Sequence, residues 1–380
     1  MPKIVIVGDL FPVPTNYEQF SRGNVEYLCG EKIIKLFKGA DYRICNLEGA
    51  LTDKPGLCEK TGPVLYAPTS TIAAYQKLGI DCCTLANNHI TDAGATGVVD
   101  TIKTLDDAGI HHVGVGLNAG NVKSYHLFQV GKYNVCLYNV AETMYNAPSM
   151  SSPGAHLYDE YLVCKELEQL KRSCDYLLVV YHGGSEKFRY PSPQTKKRFH
   201  RIVDSGADVV LSQHTHCVGS EEEYRGGYLL YGQGNFLFRS FNNEFTNTGL
   251  IIELELEGGN MKVKKHLVNA VADTVKYDEN QDFDGFNKRS LLISDEKRLQ
   301  ELFDEYCLQE LPGYLGAFKG RSLFYKILRK FAPQIYRKCL FAGYSRHQML
   351  LSLHALRSEQ NREVAIRGME VYLASVSNES

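Results

Sequence analysis

Short apolar runs, typical of β-strands, alternate with amphipathic segments in the first part of this chain. The runs cover Ile4–Val7, Tyr42–Cys45 and Asp81–Ala86. Segment Gly97–Ala108 places apolar residues at helical spacing, and Gly109 follows it in the position that commonly ends a helix. Alternation of this kind predicts parallel strands joined by helices, and therefore an α/β fold.

The pattern changes after residue 120. Tyr125–Val130 and Asn134–Tyr138 flank a Gly-containing turn and predict a β-hairpin. Two further helix–strand pairs follow, with helices at Asp159–Arg172 and Pro193–Ser205 and strands at Tyr176–Tyr181 and Val209–Ser212. We predict two βαβ halves that face each other, with hairpins at the sheet edges.

A change in composition predicts the domain organisation. Residues 273–290 are rich in Asp, Asn, Lys and Gly, which favours a linker. We therefore expect a main α/β domain over 1–272 and an all-α module over 291–380. The helices predicted in this module are Glu296–Leu308, Ser322–Phe331, Gln348–Arg357 and Arg362–Ala374.

A polar cluster directly follows each of five predicted strands. The clusters are Gly8-Asp9, Asn46-Leu47-Glu48, Asn87-Asn88-His89, His182-Gly183-Gly184-Ser185-Glu186 and His214-Thr215-His216. Ligands of open α/β sheets bind beyond the carboxyl ends of the strands, so these clusters are expected to meet at one rim. Asp, Glu, Asn and His provide the oxygen and nitrogen ligands of metals, and together they predict a metal site.

Each cluster also has a simpler interpretation. Asp9 and Glu48, taken singly, are more typical of turns and caps. Asn88 could offer a metal its amide oxygen beside His89 as general acid, or the pair could be a helix cap with a surface histidine. His214 and His216 form the strongest local signal, because alternate residues of an extended segment project the same way.

Composition excludes several other classes of protein. Net charge is −2, which gives no overall attraction to nucleic acid. The 11 cysteines are irregularly spaced without Cys-x-x-Cys, so neither a disulfide framework nor a zinc ribbon is expected. No apolar stretch approaches the ~18 residues of a transmembrane helix, and the N-terminus does not match a signal peptide. A cytoplasmic location is expected.

One charge pattern stands out near the C-terminus. Residues 311–358 contain nine Lys or Arg, no Asp or Glu, and several interleaved aromatic residues. These helices could lie on an anionic membrane or bind an acidic polymer. The simpler interpretation, which we favour, is a solvated basic face whose aromatic residues pack on the main domain.

The polar clusters keep their order beside further motifs: Ala108-Gly109-Ile110, Gly206-Ala207-Asp208-Val209-Val210 and Gly234-Asn235-Phe236. In this order and context the chain resembles, over about residues 3–255, the CapA (PgsA-like) capsule and poly-γ-glutamate synthesis proteins. These proteins are relatives of the calcineurin-like metallophosphoesterases. The resemblance implies a four-layer α/β/β/α sandwich with a metal site at its rim.

The resemblance also implies roles for individual residues. The expected ligands of one or two Mn, Fe or Zn ions are Asp9, Glu48, Asn88, His182, His214 and His216. Glu48 resembles a bridging acid, His89 a substrate-contacting acid, and Glu186 would position a nucleophile or substrate amine. Asn46 and Asn235 are expected to bind substrate. Phe11 departs from the superfamily's Asp-x-His motif and removes one ligand of the first metal.

Three functions remain open at this point. The first is a metal-dependent enzyme that acts on a phosphoester or polyanionic polymer during capsule or exopolymer synthesis. The second is a non-catalytic assembly factor that binds the polymer and docks on a membrane complex through the basic helices, at the inner face of the membrane. The third is a stand-alone metallophosphodiesterase.

Overall fold

The structure is a computed structural model that describes residues 1–56, 60, 62–144, 146–238, 243, 245–317, 332, 335 and 345–377. The chain divides into two compact units. The first comprises Met1–Cys58 and Val64–Gln300, and the second comprises Glu59–Pro63 and Glu301–Ser380.

Eight strands of the first unit form one mixed sheet. They are β1 (Lys3–Leu10), β2 (Tyr42–Leu47), β5 (Cys82–Thr84), β6 (His111–Val113), β15 (Asn235–Leu237), β16 (Thr248–Glu257), β17 (Asn260–Val271) and β18 (Thr274–Tyr277). Their order is β18-β17-β16-β1-β2-β5-β6, and β15 pairs with the end of β1. Strands β1, β2, β5 and β6 are parallel, as predicted for the first βαβ half, whereas β16 to β18 add an antiparallel extension.

Six strands form the second sheet of this unit. They are β8 (Tyr125–Val130), β9 (Tyr133–Ala141), β11 (Tyr176–His182), β12 (Val209–Gln213), β13 (Val218–Tyr224) and β14 (Gly227–Gln233). Their order is β13-β14-β12-β11-β9-β8, with antiparallel pairs at both edges. Four shorter strands lie outside both sheets: β3 (Ala50–Leu51), β4 (Tyr66–Ala67), β7 (Val115–Gly116) and β10 (Gly154–Ala155).

Helices cover the outer face of each sheet. The first sheet is covered by α1 (Tyr17–Ser21), α2 (Val25–Cys29), α3 (Glu31–Lys38), α4 (Ile72–Leu78) and α5 (Gly94–Asp107). The second is covered by α6 (Glu160–Lys171) and α7 (Pro193–Asp204). A third hydrophobic cluster fills the space between the two sheets. These layers confirm the predicted α/β/β/α sandwich.

Strand β1 shows why its sequence is apolar on both faces. Ile4 and Ile6 point into the cluster between the sheets, whereas Val5 and Val7 point towards the helices. Successive strand residues alternate between faces, so a central strand of a four-layer sandwich has no face left for polar residues. The first polar side chain of this strand after Lys3 is Asp9, which stands near its carboxyl end.

The helices begin where their capping residues predict. Ser192 precedes Pro193, and its Oγ accepts a hydrogen bond of 3.1 Å from the backbone N–H of Thr195. Asp159 caps α6 in the same way through Leu162, at 2.9 Å. Both caps satisfy backbone N–H groups that lack partners within the helix.

The polar segment 273–290, predicted as a linker, carries regular structure and belongs to the first unit. It contains β18 and most of α8 (Asp284–Leu292). Phe286 of α8 is buried in the cluster between the sheets, beside the partly buried Phe283. Some of the polar residues of this segment are exposed on α8. Composition alone therefore did not reveal a helix that two aromatic side chains anchor.

Three further helices complete the described chain: α9 (Glu296–Ala317), α10 (Arg346–Arg357) and α11 (Glu359–Ser377). Within the second unit, the guanidinium of Arg367 on α11 binds both carboxylate oxygens of Asp304 on α9, at 2.5 and 2.7 Å. The predicted helix Ser322–Phe331 and most of the basic stretch lie outside the described residues. Among the helices that the structure describes, none is long and apolar enough to cross a membrane.

Buried amide side chains connect the two sheets. Asn139 of β9 accepts hydrogen bonds from the backbone N–H groups of Leu85 (3.1 Å) and Ala86 (2.7 Å), which follow β5 in the other sheet. Its Nδ2 donates to the carbonyl of Val180 at 3.0 Å. Gln213 of β12 similarly donates to the carbonyl of Val7 at 3.3 Å.

We expect Asn139→Ala to destabilise the first unit strongly. It leaves the buried N–H of Ala86 without its partner and removes the donor to the carbonyl of Val180, whereas the N–H of Leu85 keeps its bond of 2.8 Å to the carbonyl of Val113. The free energy of unfolding should therefore fall by about 1–3 kcal/mol, the cost of an unsatisfied buried polar group. Urea unfolding followed by circular dichroism measures the change. Asn134→Ala on the same strand is the control, because Asn134 is exposed and bonds the exposed Gln129. Equal losses in both variants would contradict this role.

Candidate metal centre

The predicted ligand residues lie at one rim of the sandwich. Asp9 and Glu48 stand near the carboxyl ends of β1 and β2, and Asn88 follows β5. His182 is the last residue of β11, and His214 and His216 follow β12 of the second sheet. All of these residues except the partly exposed His216 are buried.

Glu48 lies at the centre of this group. Its Oε1 is 3.8 Å from Nε2 of His182 and 3.8 Å from Nε2 of His216. One ligand atom each of Glu48, His214 and His216 lies within 4.8 Å of the others, an arrangement that could hold a metal ion. Asn88 is adjacent, because its Oδ1 is 2.9 Å from Nε2 of His182.

Asp9 stands beside the same histidines. Its Oδ2 is 3.3 Å from Nδ1 of His216, and its Oδ1 accepts a hydrogen bond of 2.7 Å from Nδ2 of Asn46. All six predicted ligands are therefore connected through Glu48, its histidine neighbours and Asp9. The sheets bring together donors that the sequence separates by about two hundred residues.

Asn46 and Asn235 contact the side chains of predicted ligands. Asn46 is fully buried and bonds Asp9, and its Nδ2 lies 3.4 Å from Nδ1 of His182. Oδ1 of Asn235 lies 2.9 Å from Nδ1 of His216. Both residues, which we predicted to bind substrate, are buried and bonded to predicted ligand residues, and their contact with substrate stays a prediction.

The backbone that carries the two histidines is not extended. His214 has φ 87° and His216 has φ 54°, which are left-handed conformations that non-glycine residues seldom adopt. The two imidazoles do lie close together, as predicted. The reason given, that they alternate along an extended segment, is wrong. A tight turn after β12 brings the rings to Glu48, and strain of this kind commonly accumulates at functional sites.

Burial and charge set the protonation of the centre. Burial, followed by the charge of Asp9, raises the pKa of Glu48 well above its ordinary value. Burial lowers the pKa of His216, but the charges of Glu48 and Asp9 outweigh it and raise that pKa to about 10. Burial and then the charge of His214 lower the pKa of His182 well below its usual range.

Two features of these donors fit a divalent cation. Neither oxygen of the buried Glu48 has a hydrogen-bond partner among the described residues, so burial of this carboxyl is costly. His182 is neutral at physiological pH, as a metal-ligating imidazole must be. Because a cation competes with protons for Glu48 and His216, whose pKa values are both raised, metal binding here should release protons.

Two residues beside the centre carry the predicted catalytic groups. Nδ1 of the buried His89 lies 2.7 Å from Oδ2 of Asp92, which is also buried. Glu186 lies beyond Gly183 and Gly184 and is exposed overall. Desolvation of its carboxyl raises the pKa of Glu186, but the charges of His214 and His216 outweigh this and lower it, so Glu186 is ionised at neutral pH.

Phe11 is a core residue. Its side chain is buried in the cluster beneath α1 to α5, and it leaves no room for a side chain at Gly49, where a Cβ would lie 2.7 Å from the Phe11 ring. A phenyl ring offers no metal ligand. Position 11 therefore contributes packing beside Glu48 and no donor atom.

One acid at this rim was missed in the sequence. Glu142 directly follows β9 and is buried, and its Oε2 lies 3.4 Å from the backbone N of Gly184. A side chain at Gly183 would collide with this carboxyl. The rule that identified Asp9, a polar residue after an apolar strand, applies equally to Val140-Ala141-Glu142.

Comparison with known proteins places this centre in context. The family model described as "Bacterial capsule synthesis protein PGA_cap" matches residues 3–240. "Capsule biosynthesis protein CapA" of Bacillus anthracis is 28% identical over 62% of this chain and 59% of its own length. "PGA biosynthesis protein CapA" of Bacillus subtilis is 23% identical over 53% of this chain and 54% of its own length. The chain thus aligns with less than two thirds of each relative.

Solved structures also resemble the chain. A "novel phosphatase" from Mycoplasma pneumoniae is 15% identical and covers 75% of this chain and 98% of its own, with a TM-score of 0.45. A 5'-nucleotidase precursor from Thermus thermophilus is 13% identical and covers 78% of this chain and 58% of its own, with a TM-score of 0.44. The family model matches more than half of this chain. The chain therefore belongs to the PGA_cap family of bacterial capsule synthesis proteins.

Proposed function

We propose that this chain is a metal-dependent hydrolase that acts on a phosphoester or polyanionic polymer during synthesis of a capsule or exopolymer such as poly-γ-glutamate. The observation that carries the proposal is Glu48. A buried carboxylate that accepts no hydrogen bond from the described residues, close to three buried or partly buried histidines, is costly unless a cation binds it.

The residues that would hold Mn, Fe or Zn are those described above. Glu48, His214 and His216 supply the closest set of donor atoms, and Asp9, Asn88 and His182 adjoin them. Bound there, the metal would supply Lewis acidity and make a water molecule nucleophilic at neutral pH. Nitrogen and carboxylate donors together suit these three metals.

Side chains of this protein would donate a proton to the leaving group and orient the nucleophile. Asp92 accepts a hydrogen bond from Nδ1 of His89, so the proton that His89 gives to a leaving group is carried on Nε2. The same contact fixes the orientation of the ring. Glu186, which is ionised and exposed, would orient the incoming nucleophile or a substrate amine.

Phe11 favours a second candidate function. A buried phenyl ring occupies position 11, where the superfamily has a metal ligand. The side of the centre near Asp9 therefore has too few donors to complete two metal sites. The rim would then bind polymer or metal without turnover, as an assembly factor. In either role the nine Lys and Arg of residues 311–358 support attraction to an anionic membrane surface or capsule-synthesis complex.

Metal reconstitution with an activity assay tests the proposal. The full chain is stripped of metal and supplied with Mn²⁺, Fe²⁺ or Zn²⁺, and bound metal and hydrolysis of bis(p-nitrophenyl) phosphate are measured. We expect stoichiometric binding of at least one metal and metal-dependent turnover. His182→Ala should lose both, whereas His347→Ala, which removes an exposed histidine on α10, should lose neither.

The outcomes separate the two candidate functions. Tight metal binding without turnover of any phosphodiester supports the assembly factor. Failure to bind any of the three metals contradicts the metal centre itself, and with it the hydrolase.

A further inference from the structure

Two arginines adjoin Gly219 of β13, because a Cβ at Gly219 would lie 3.4 Å from the carbonyl oxygen of Arg189, and Nε of Arg289 donates to the Gly219 carbonyl at 2.9 Å. Arg189 follows the Gly183-Gly184 segment after β11, and Arg289 lies on α8. Burial lowers the pKa of Arg289 first, and the positive charge of Arg189 lowers it further. Among the described residues neither guanidinium forms an ion pair with an acid. Two like charges placed together raise the local concentration of anions.

The two guanidiniums differ in how they are held. Arg289 is committed to the backbone, because its Nε and Nη2 donate to the carbonyls of Gly219 (2.9 Å) and Val218 (3.2 Å). Arg189 is held by stacking, with its guanidinium carbon 3.9 Å from the ring centroid of Phe245. Its Nε is buried and has no hydrogen-bond partner in the described part of the chain. Arg189 is therefore oriented by Phe245, and its Nε is not committed to any acceptor among the described residues.

A backbone contact joins the segment that carries Arg189 to the metal centre. Its segment is joined to the histidine turn by the hydrogen bond from Lys187 N to the carbonyl of Thr215, at 2.8 Å. Both arginines also act electrostatically on Cys217, the residue after His216. Arg189 thus lies on the side of the centre occupied by His216.

A second set of contacts leads to the same side of the centre. Phe245, on which Arg189 stacks, precedes Thr246, and the carbonyl of Thr246 accepts a hydrogen bond of 2.8 Å from Asn235. Asn235 in turn contacts His216 at 2.9 Å. Phe238 stacks on the His216 ring with centroids 5.4 Å apart.

We propose that Arg189, supported by Arg289, forms an oxyanion subsite beside the metal centre and binds a carboxylate or phosphate of an anionic chain. A planar guanidinium with uncommitted donors matches either oxyanion in a bidentate manner. The proposal deepens the proposed function, on which its choice of ligand rests. The subsite would take the charged unit next to the one at the metal and would select polymers that carry regularly spaced anions.

Binding to the metal-free chain tests the subsite without any need for turnover. The probe is a short γ-linked glutamate oligomer labelled with fluorescein, and its anisotropy is followed as the full protein is added. We expect Arg189→Gln to weaken binding about tenfold or more, as loss of hydrogen bonds to a charged group does. Arg189→Lys should be intermediate, because it keeps the charge but loses the planar fork.

Arg225→Gln is the matched control. Arg225 is exposed in the turn between β13 and β14, pairs with Asp204, and carries the same charge as Arg189. Its substitution should leave oligomer binding unchanged. Inorganic phosphate is then added as a competitor, with a sulfate-free chloride salt of equal ionic strength as the control. Displacement of the oligomer by phosphate but not by chloride would show that the subsite binds phosphate as well as carboxylate.

Three results would overturn the subsite: equal binding by wild type and Arg189→Gln, equal weakening by Arg225→Gln, or no binding of either oligomer or phosphate by wild type. Arg189→Lys guards against a variant that fails to fold, because it is the smaller change and its melting temperature can be compared with wild type. Turnover of bis(p-nitrophenyl) phosphate by wild type, a substrate without carboxylates, reports on the hydrolase alone. Each proposal can therefore fail without the other.

Discussion

Replacing Glu48 with Gln should lower the affinity for Mn²⁺ or Zn²⁺ by at least about 100-fold, since the loss of groups that merely support metal ligands already costs 10–100-fold. Gln keeps the shape but offers a neutral amide at the point shared by His182 and His216. The stability of the metal-free protein should not fall, because neither Glu48 oxygen accepts a hydrogen bond from the described residues that the variant would lose.

Isothermal titration calorimetry and thermal unfolding of the metal-free protein measure the two effects separately. Glu18→Gln serves as the control, because Glu18 is exposed on α1 and pairs only with a neighbouring arginine among the described ion pairs. An unchanged metal affinity in Glu48→Gln would contradict the role of Glu48 as the bridging acid of the centre. A large loss of metal-free stability would show instead that Glu48 has a structural role.

His89→Ala should reduce turnover about 10²–10⁴-fold, the usual contribution of a general acid, while bound metal stays the same. The loss should depend on the leaving group. An alkyl phosphodiester needs its departing oxygen protonated, whereas p-nitrophenolate leaves without help, so the variant should be impaired mainly on the alkyl substrate. Asp92→Asn should show a smaller loss with the same preference, because Asp92 orients the ring.

The measurement compares kcat on the two substrates at equal metal content, with His347→Ala as the histidine control. Equal loss on both substrates would assign His89 to substrate binding rather than proton transfer. No loss on either substrate would favour the non-catalytic assembly role.

Much of the sandwich could be predicted because its strands are buried on both faces and its helices carry local capping signals. Ile4–Val7 identifies a central strand by itself, and Ser192-Pro193 marks a helix start within a residue. Segment 273–290 was mistaken for a linker because Phe283 and Phe286, its apolar anchors, are too few to outweigh its polar composition. Their packing between the sheets depends on contacts far away in sequence.

The site was predictable to the extent that its donors end strands. Asp9, Glu48 and His182 obey that rule, and Glu142 obeys it too, although it was overlooked. The supporting role of Asn235 was not predictable, because it is defined by its contact with His216. Arg189 gave no signal at all, since an arginine in a loop shows its environment only when Phe245 and Arg289 are placed around it.

The spacing between the sheets has a consequence for how this protein tolerates change. Asp9 and Glu48 belong to one sheet, and His182 and His214 to the other, so the distances among the donors are set by how far apart the sheets lie. That gap is filled by interior side chains such as Ile6 and Leu211 and spanned by Asn139. A substitution deep in the interior that preserves folding can therefore change the distances among these donors, which would make interior volume a determinant of how tightly the proposed metal is held.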